Sequence, residues 1–395
     1  MSIFCRYPFE HIYSDIFGMM MPCCDATTKD HIIKPDTGSD SNFPSRSIED
    51  GIFSYMNIPE MKQLREDMKK ENPYTDLVKD VCRRCIHAEQ HGLPSMRSPA
   101  QDVPENGRIY ELKVRLFGNA CNLQCYMCHI RNSSSRIAQT EKMMQYDEKV
   151  SDFLKYDLVP DYLKKGGGIK HPESFDKHIE DIKKHADKIK TIDVIGGEPF
   201  VMSTHYKLLD ALIECGESKN IVLKYDSNLT KLKWNGCKVE DYFKKFKNVL
   251  ISWSIEGCGK YDEYIRYPTN WEDTVKNYNF LSIYSNVKVS TSATLSALSV
   301  LHLDELVEWL ELRGMKCNYN TLKAPEVCKI DNLHPTVRKK LSRRYAGTKL
   351  EFLCRELDKE VVDWETKWDN FIKYLRALDY VNGTSYEETF PELKV

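Results

Sequence analysis

Two short stretches decide how this chain reads: Cys121-Asn-Leu-Gln-Cys125-Tyr-Met-Cys128, directly after a strand-like run at Tyr110–Phe117, and Gly196-Gly197-Glu198-Pro199, directly after another at Thr191–Ile195. Three thiolates in one short loop can face one metal centre, and soft sulfur suits zinc or an iron–sulfur cluster. Three protein ligands, not four, leave one iron of a [4Fe–4S] cluster open, and an open iron can chelate the amine and carboxylate of a small molecule. Taken alone, the triplet also fits a zinc knuckle.

Outward from these stretches, β-branched and aromatic runs near Ile221–Tyr225, Val249–Ile255, Val287–Ala293 and Cys317–Leu322 read as strands, and Ser203–Cys215, Trp271–Tyr284 and Leu303–Arg313 as helices. Strand-then-helix repetition predicts an α/β fold on a parallel sheet. The stretch Asn132–Lys190 is too long for one crossover and is divided by Gly166-Gly167-Gly168, which makes it a candidate lid or substrate contact. Pro94, Pro99 and Pro104 punctuate a linker, so the expected units are 1–98 (a Cys-bearing module), 105–330 (the catalytic unit) and 331–395 (a helical extension). In the last of these, Val361–Leu378 reads as an aromatic-rich amphipathic helix whose role is packing.

Composition bounds the function. A net charge of -2 supplies no general field for nucleic acid or an anionic membrane, and Ile16–Met21 is too short and Gly-interrupted to span a bilayer. The expected location is the cytoplasm. Fourteen Cys are many for a reducing compartment, which disfavours disulfides and leaves thiolates for metals or catalysis.

The Cys-x3-Cys-x2-Cys spacing followed by Gly-Gly-Glu-Pro resembles the two motifs of the radical S-adenosylmethionine (SAM) superfamily. That resemblance implies a partial (β/α)6 barrel, a [4Fe–4S] cluster on Cys121, Cys125 and Cys128, and SAM at its open iron. One electron from a donor such as flavodoxin or ferredoxin would then break a C–S bond, releasing methionine and a 5′-deoxyadenosyl radical that abstracts hydrogen. It further implies that Gly196 and Gly197 let backbone approach the cofactor, with Pro199 closing the motif, and that Glu198 accepts from the methionine ammonium group. Relatives often place an aromatic residue near adenine just before the third Cys; here Met127 stands there, with Tyr126 before it. Asp226-Ser227-Asn228 and Ser254 match positions that often contact the SAM methionine or ribose, and Arg266, in Tyr-Ile-Arg-Tyr, resembles the cofactor-binding basic residue that follows strand four in relatives.

Farther upstream, Cys5, Cys23, Cys82 and Cys85, with Cys24 as an alternative to Cys23, can supply four thiolates to a second [4Fe–4S] cluster or to a structural zinc. The order Cys5, Gly18, Cys23 resembles the auxiliary-cluster motif of SPASM and twitch extensions, which usually follow the barrel and here precede it. The run Cys82–Arg97, with Glu89, Gly92, Ser95 and Arg97, is similar to a small family of twitch-domain radical SAM proteins. Such a closed cluster implies an electron route. Two further thiols, Cys258 and Cys328, stand just past strands where a barrel opens and are candidate hydrogen donors; Glu256 and Asp262 are candidate bases that more ordinarily would be solvated charges. The leading expectation is modification of a peptide or protein side chain. Radical dehydrogenation or epimerisation of a sugar or nucleoside is the second, and a non-catalytic iron–sulfur scaffold or sensor is the reading outside enzymes.

Overall fold

The computed structural model describes residues 4–14, 19–28, 43–92, 95–97, 110–113, 115, 118–130, 132–154 and 175–395. Gly18, the linker prolines and the Gly166–Gly168 triplet lie outside these residues. One mixed sheet runs through the molecule, built from β1 (His11–Ser14), β2 (Met19–Met21), β3 (Arg46–Ser47), β4 (Tyr110–Lys113), β5 (Ile189–Val194), β6 (Val222–Ser227), β9 (Asn248–Ser254), β10 (Val287–Leu295) and β11 (Cys317–Thr321), while β7 (Lys233–Trp234) and β8 (Cys237–Lys238) form a separate hairpin. Asn235 and Gly236 close that hairpin with positive φ angles, as a two-residue turn demands.

The sheet order is β11-β10-β9-β6-β5-β4-β1-β2-β3. Every pairing from β11 to β1 is parallel, and only β1–β2 and β2–β3 are antiparallel. Six successive parallel strands with helices between them match the expected α/β repeat. The Cys-bearing N-terminal module is continuous with that sheet, since β1 pairs in parallel with β4 at His11 to Glu111 and Tyr13 to Lys113.

Parallel strands are usually covered on both faces and read as unbroken apolar runs. Here they alternate. In β9, Val249, Ile251 and Trp253 are buried while Asn248, Leu250, Ser252 and Ser254 are half-exposed. The apolar face carries the helices: Trp253 stacks on Trp271 and Tyr278 and meets Trp309 edge-on. The opposite face is polar, with Lys113, Asp193, Lys224 and Asp226 followed by Ser252, Ser254, Ser290, Ser292, Asn318 and Asn320.

Three covering helices fall at Ser203–Glu214, Trp271–Leu281 and Leu303–Glu311, each within a few residues of expectation. The tail helix spans Trp364–Asn382, later and longer than expected, because left-handed Asp363 blocks an earlier start and left-handed Gly383 ends it. No helix among the described residues is long and apolar enough to cross a membrane.

The C-terminal segment is pinned by His302, whose Nδ1 pairs with Glu305 and whose Nε2 pairs with Glu392, both at 2.7 Å, with the ring stacked on Tyr261. Burial opposes a charge on this imidazole, but Glu392 and Glu305 outweigh it and raise the pKa above its ordinary 6.5. A raised folded-state value contributes stability fully below the unfolded value and loses it as pH rises through the folded one. Urea midpoints taken between about pH 5 and 8 should fall with rising pH in the wild type and flatten in His302→Gln. Trp253→Ala, which empties the aromatic cluster, should cost about 3–5 kcal/mol in the same assay.

Candidate active site

The Cys loop crosses the C-terminal ends of the strands and is held along its backbone. The amides of Gln124 and Tyr126 donate to the carbonyls of Tyr267 (2.6 Å) and Ile265 (3.0 Å), and Cys128 N closes a turn onto Cys125 O (2.9 Å). The hydroxyls of Ser133 and Ser135 both donate to Leu123 O, at 2.8 and 2.6 Å. Tyr126 and Met127 are buried inside this scaffold; the Tyr126 hydroxyl accepts from Leu298 N at 3.0 Å, so the ring anchors the loop and is not on the cavity wall.

A cavity of about 450 Å³ opens in front of the loop. Its wall brings together Cys121, Cys125, Cys128, Gly196, Gly197, Glu198, Asn228, Ser254 and Arg266, which are far apart in sequence. Pro199 is buried just behind, opening a short 3-10 turn.

The glycines are required by a backbone contact. Gly197 has φ of +53°, and a Cβ there would stand 2.1 Å from Ala120 O; at Gly196, φ is +98° and the Cβ would stand 2.9 Å from Gly118 O. The amide of Glu198 donates to Ala120 O at 2.8 Å. The second motif thus lies directly on the first, and its glycines admit the Cys loop itself.

Glu198 ties a third element in. One carboxylate oxygen accepts from Ser227 Oγ (2.8 Å) and Phe200 N (3.3 Å), the other from Asn228 N (2.7 Å). Burial pushes its pKa up to about 7 against these donors and Arg266. Asn228 in turn donates to Asn122 Oδ1 at 3.2 Å, on the Cys loop.

Arg266 Nη1 donates to Glu256 Oε2 at 2.6 Å, and Asp262 accepts from the Glu256 amide at 2.9 Å. Burial opposes the guanidinium charge, but Cys125, Glu256 and Asp262 surround it and hold its pKa well above the usual value. Asp262 is pushed up to about 7 by burial, with Arg266 pulling the other way. Glu256 and Asp262, at 1% and 2% exposure, are not solvated charges; they are the buried counter-ions of Arg266 and do not line the cavity.

Cys328 is fully buried behind the loop, where its Sγ contacts Tyr126 O at 3.7 Å. Cys258 contacts Glu305 O at 3.9 Å and is pushed up to about 12 by burial. Neither of these two thiols lines the cavity, whereas Cys24 does, together with Tyr13, Lys113, Arg115, Asn132 and Ser133. A signal for part of this wall was present in the sequence: Lys113 and Arg115 alternate within the strand-like run Tyr110–Phe117, where charge is out of place among parallel strands unless that face is open. Lys113 pairs with Asp193 at 2.8 Å, and Asp226 beside them is raised by burial.

A second, small apolar cavity of about 20 Å³ is lined by Cys5, Cys23, Cys82 and Cys85, with Tyr7, Asp25 and Arg97. Arg97 forks onto Glu89 at 2.9 and 2.8 Å, and Ser95 donates to the same carboxylate at 2.7 Å, which accounts for those three residues of the Cys82–Arg97 run. Burial, then Cys5 and Cys85, push Cys82 up to about 12, with Arg97 easing it. The adjacent pair Cys23 and Cys24 divides between the two cavities.

The thiols of the first site behave likewise. Cys121 is pushed up to about 12 by burial and then by Glu198, and Cys125 is raised by burial, eased by Arg266 and raised again by Cys128 and Cys121. A metal that takes these sulfurs would displace their protons to solvent, a deprotonation that burial alone opposes. Among the described residues no three His, Cys, Asp or Glu side chains converge as a single ion requires. A zinc needs its sulfurs about 2.3 Å from one point, whereas an iron–sulfur cluster takes each thiolate on a separate iron.

No family model matches the sequence, and no curated protein does. Distant likenesses exist among solved structures. The chain is similar to native anSMEcpe with bound AdoMet (14% identity, 62% of this chain and 61% of that one, TM-score 0.40). It is also similar to Streptococcus suis SuiB bound to precursor peptide SuiA (14%, 77% and 59%, 0.38) and to TYW1 with a lysine-pyruvate adduct bound (14%, 58% and 70%, 0.29). The chain thus matches about three fifths of the length of the first two.

Gly197→Ala should destabilise far more than Gly314→Ala. Both residues have positive φ, an intrinsic strain of about 1–3 kcal/mol, but only Gly197 faces a backbone oxygen, whereas Gly314 has nothing within 4 Å. Urea unfolding of the two variants isolates the clash; equal costs would mean that the two motifs do not press together.

Proposed function

We propose that this protein is a radical SAM enzyme with an auxiliary iron–sulfur cluster, acting on a side chain of a peptide or protein. The observation that carries the reading is the meeting of the Cys121, Cys125 and Cys128 loop with Gly196, Gly197 and Glu198 on the wall of one cavity. When bound, the cluster and the sulfonium nucleotide supply one-electron cleavage of a C–S bond and a hydrogen-abstracting radical.

The chain's own residues bind and orient. Cys121, Cys125 and Cys128 ligate, and Arg266 holds a positive charge beside Cys125 that offsets the thiolate. Glu198 keeps acceptor capacity toward an ammonium group, because a carboxylate has about four lone-pair sites and three are used. Asn228 and Ser254 present polar groups from the same wall. Cys5, Cys23, Cys82 and Cys85 hold the auxiliary cluster, and electrons enter from a flavodoxin- or ferredoxin-like donor.

The polar sheet face supports the choice of substrate class. Beyond the cavity it continues through Lys288, Ser290, Asn318 and Asn320, all exposed. An open run of hydroxyl and amide groups suits an extended chain with its own donors and acceptors better than a small molecule, which favours an enclosed pocket.

Anaerobic iron and sulfide counting tests the two centres. Wild type should hold about eight irons per chain and the Cys121/Cys125/Cys128→Ala triple variant about four, the count of one cubane each. With dithionite and SAM, wild type should release 5′-deoxyadenosine and the triple variant none. Zinc in place of iron, or two clusters without SAM cleavage, would favour a scaffold or sensor.

A further inference from the structure

The tail helix Trp364–Asn382, expected only to pack, reaches the ligand loop. Arg136, fully buried on the helix Ser134–Tyr146, donates through Nε to Cys128 O (3.2 Å) and through Nη2 to the Tyr374 hydroxyl (2.8 Å), with Nη1 on Gln139. Tyr374 donates onward to Tyr126 O at 2.5 Å. The two carbonyls so engaged bracket Met127, and the amide of Cys128 is spent on Cys125. The Tyr126–Met127 and Cys128–His129 peptide planes, one before and one after the third ligand's own α-carbon, are therefore held from behind, by one side chain from each of two helices that lie 238 positions apart at the contact.

We infer that Arg136 and Tyr374 are positioning residues that clamp the Cys125–Cys128 turn in its ligating geometry, a role that rests on the radical SAM reading. The direction of a cysteine Sγ follows from its backbone plane, and a free turn would sample planes that aim it away from the metal. Groups that orient a ligand from outside its coordination sphere are worth about ten- to a hundredfold in metal affinity. The planar guanidinium suits the task because its fork reaches two oxygens at once with little ordering, whereas an ammonium offers a single point of charge.

Three variants of the full chain separate this clamp from simple helix docking. Tyr374→Phe removes the shared hydroxyl, Arg136→Lys removes the fork but keeps the charge, and Asn382→Ala cuts a different bond between the same helices, Gln139 to Asn382 at 2.6 Å. In metal-free protein, hydrogen exchange at the amides of Tyr126 and Cys128 should quicken in the first two and stay at wild-type rates in Asn382→Ala. In anaerobically reconstituted protein, the first two should lose iron to a chelator about tenfold faster and show a broadened spin-resonance signal of the reduced cluster, with and without SAM. Arg136→Lys carries the comparison if Tyr374→Phe does not fold. Behaviour of both variants like Asn382→Ala overturns the clamp. Absence of iron in wild type overturns the parent reading instead, and the exchange rates still decide whether the turn is held.

Discussion

One backbone contact organises the site: the Glu198 amide on Ala120 O, with Gly197 so close that no side chain fits between. It sets the Cys loop across the end of β5 and leaves the Glu198 carboxylate facing β6, where Ser227 and Asn228 take it up. Asn228 then returns to Asn122, closing a circuit through both motifs. Each hydrogen bond in it is ordinary, but the geometry of each depends on the others. Such networks are lost together, since removing one member strands a buried polar group elsewhere.

Charge follows the same logic. Arg266 lies between Glu256, Asp262 and Cys125, all deeply buried, and a buried ion pair gains little over apolar packing while the loss of one partner is costly. Stability alone therefore does not explain why this cluster of charge is here. A guanidinium beside Cys125 lowers the cost of negative charge on that sulfur, which burial otherwise raises. The carboxylates hold the guanidinium in place and ionised. That division of labour leaves Glu198 as the carboxylate on the cavity wall among the three.

Much of this was legible in the sequence, in proportion to how local each signal is. The Cys triplet and the Gly-Gly-Glu-Pro run are short enough to be seen from spacing alone, and the strand-helix alternation after residue 189 placed the sheet well. Roles that depend on long-range partners were not visible. Gly197 read as freedom for a cofactor to approach, yet its space is filled by Ala120 O. Glu256 and Asp262 read as solvated because spacing alone, although it puts Arg266 four residues after Asp262, does not show that Arg266 pairs with Glu256 out of solvent. Cys258 and Cys328 lie past strand ends, but Cys328 is buried behind the loop and Cys258 contacts Glu305 O, while Cys24, from far upstream, lines the cavity. The three N-terminal strands have at most four residues each, too short for periodicity to register.

Topology explains what the order of the modules achieves. The Cys-bearing segment does not meet the sheet at β11, the far edge, six positions from β1 in the strand order. Placed first, it joins through β1, parallel to β4, the strand from which the Cys loop departs. Tyr13 on β1 and Cys24 beyond β2 consequently reach the large cavity, while Cys23 turns into the small one. A single peptide bond then separates the walls of two thiol-lined cavities. The hydrogen bonds that pair β1 with β4 hold the two walls in register.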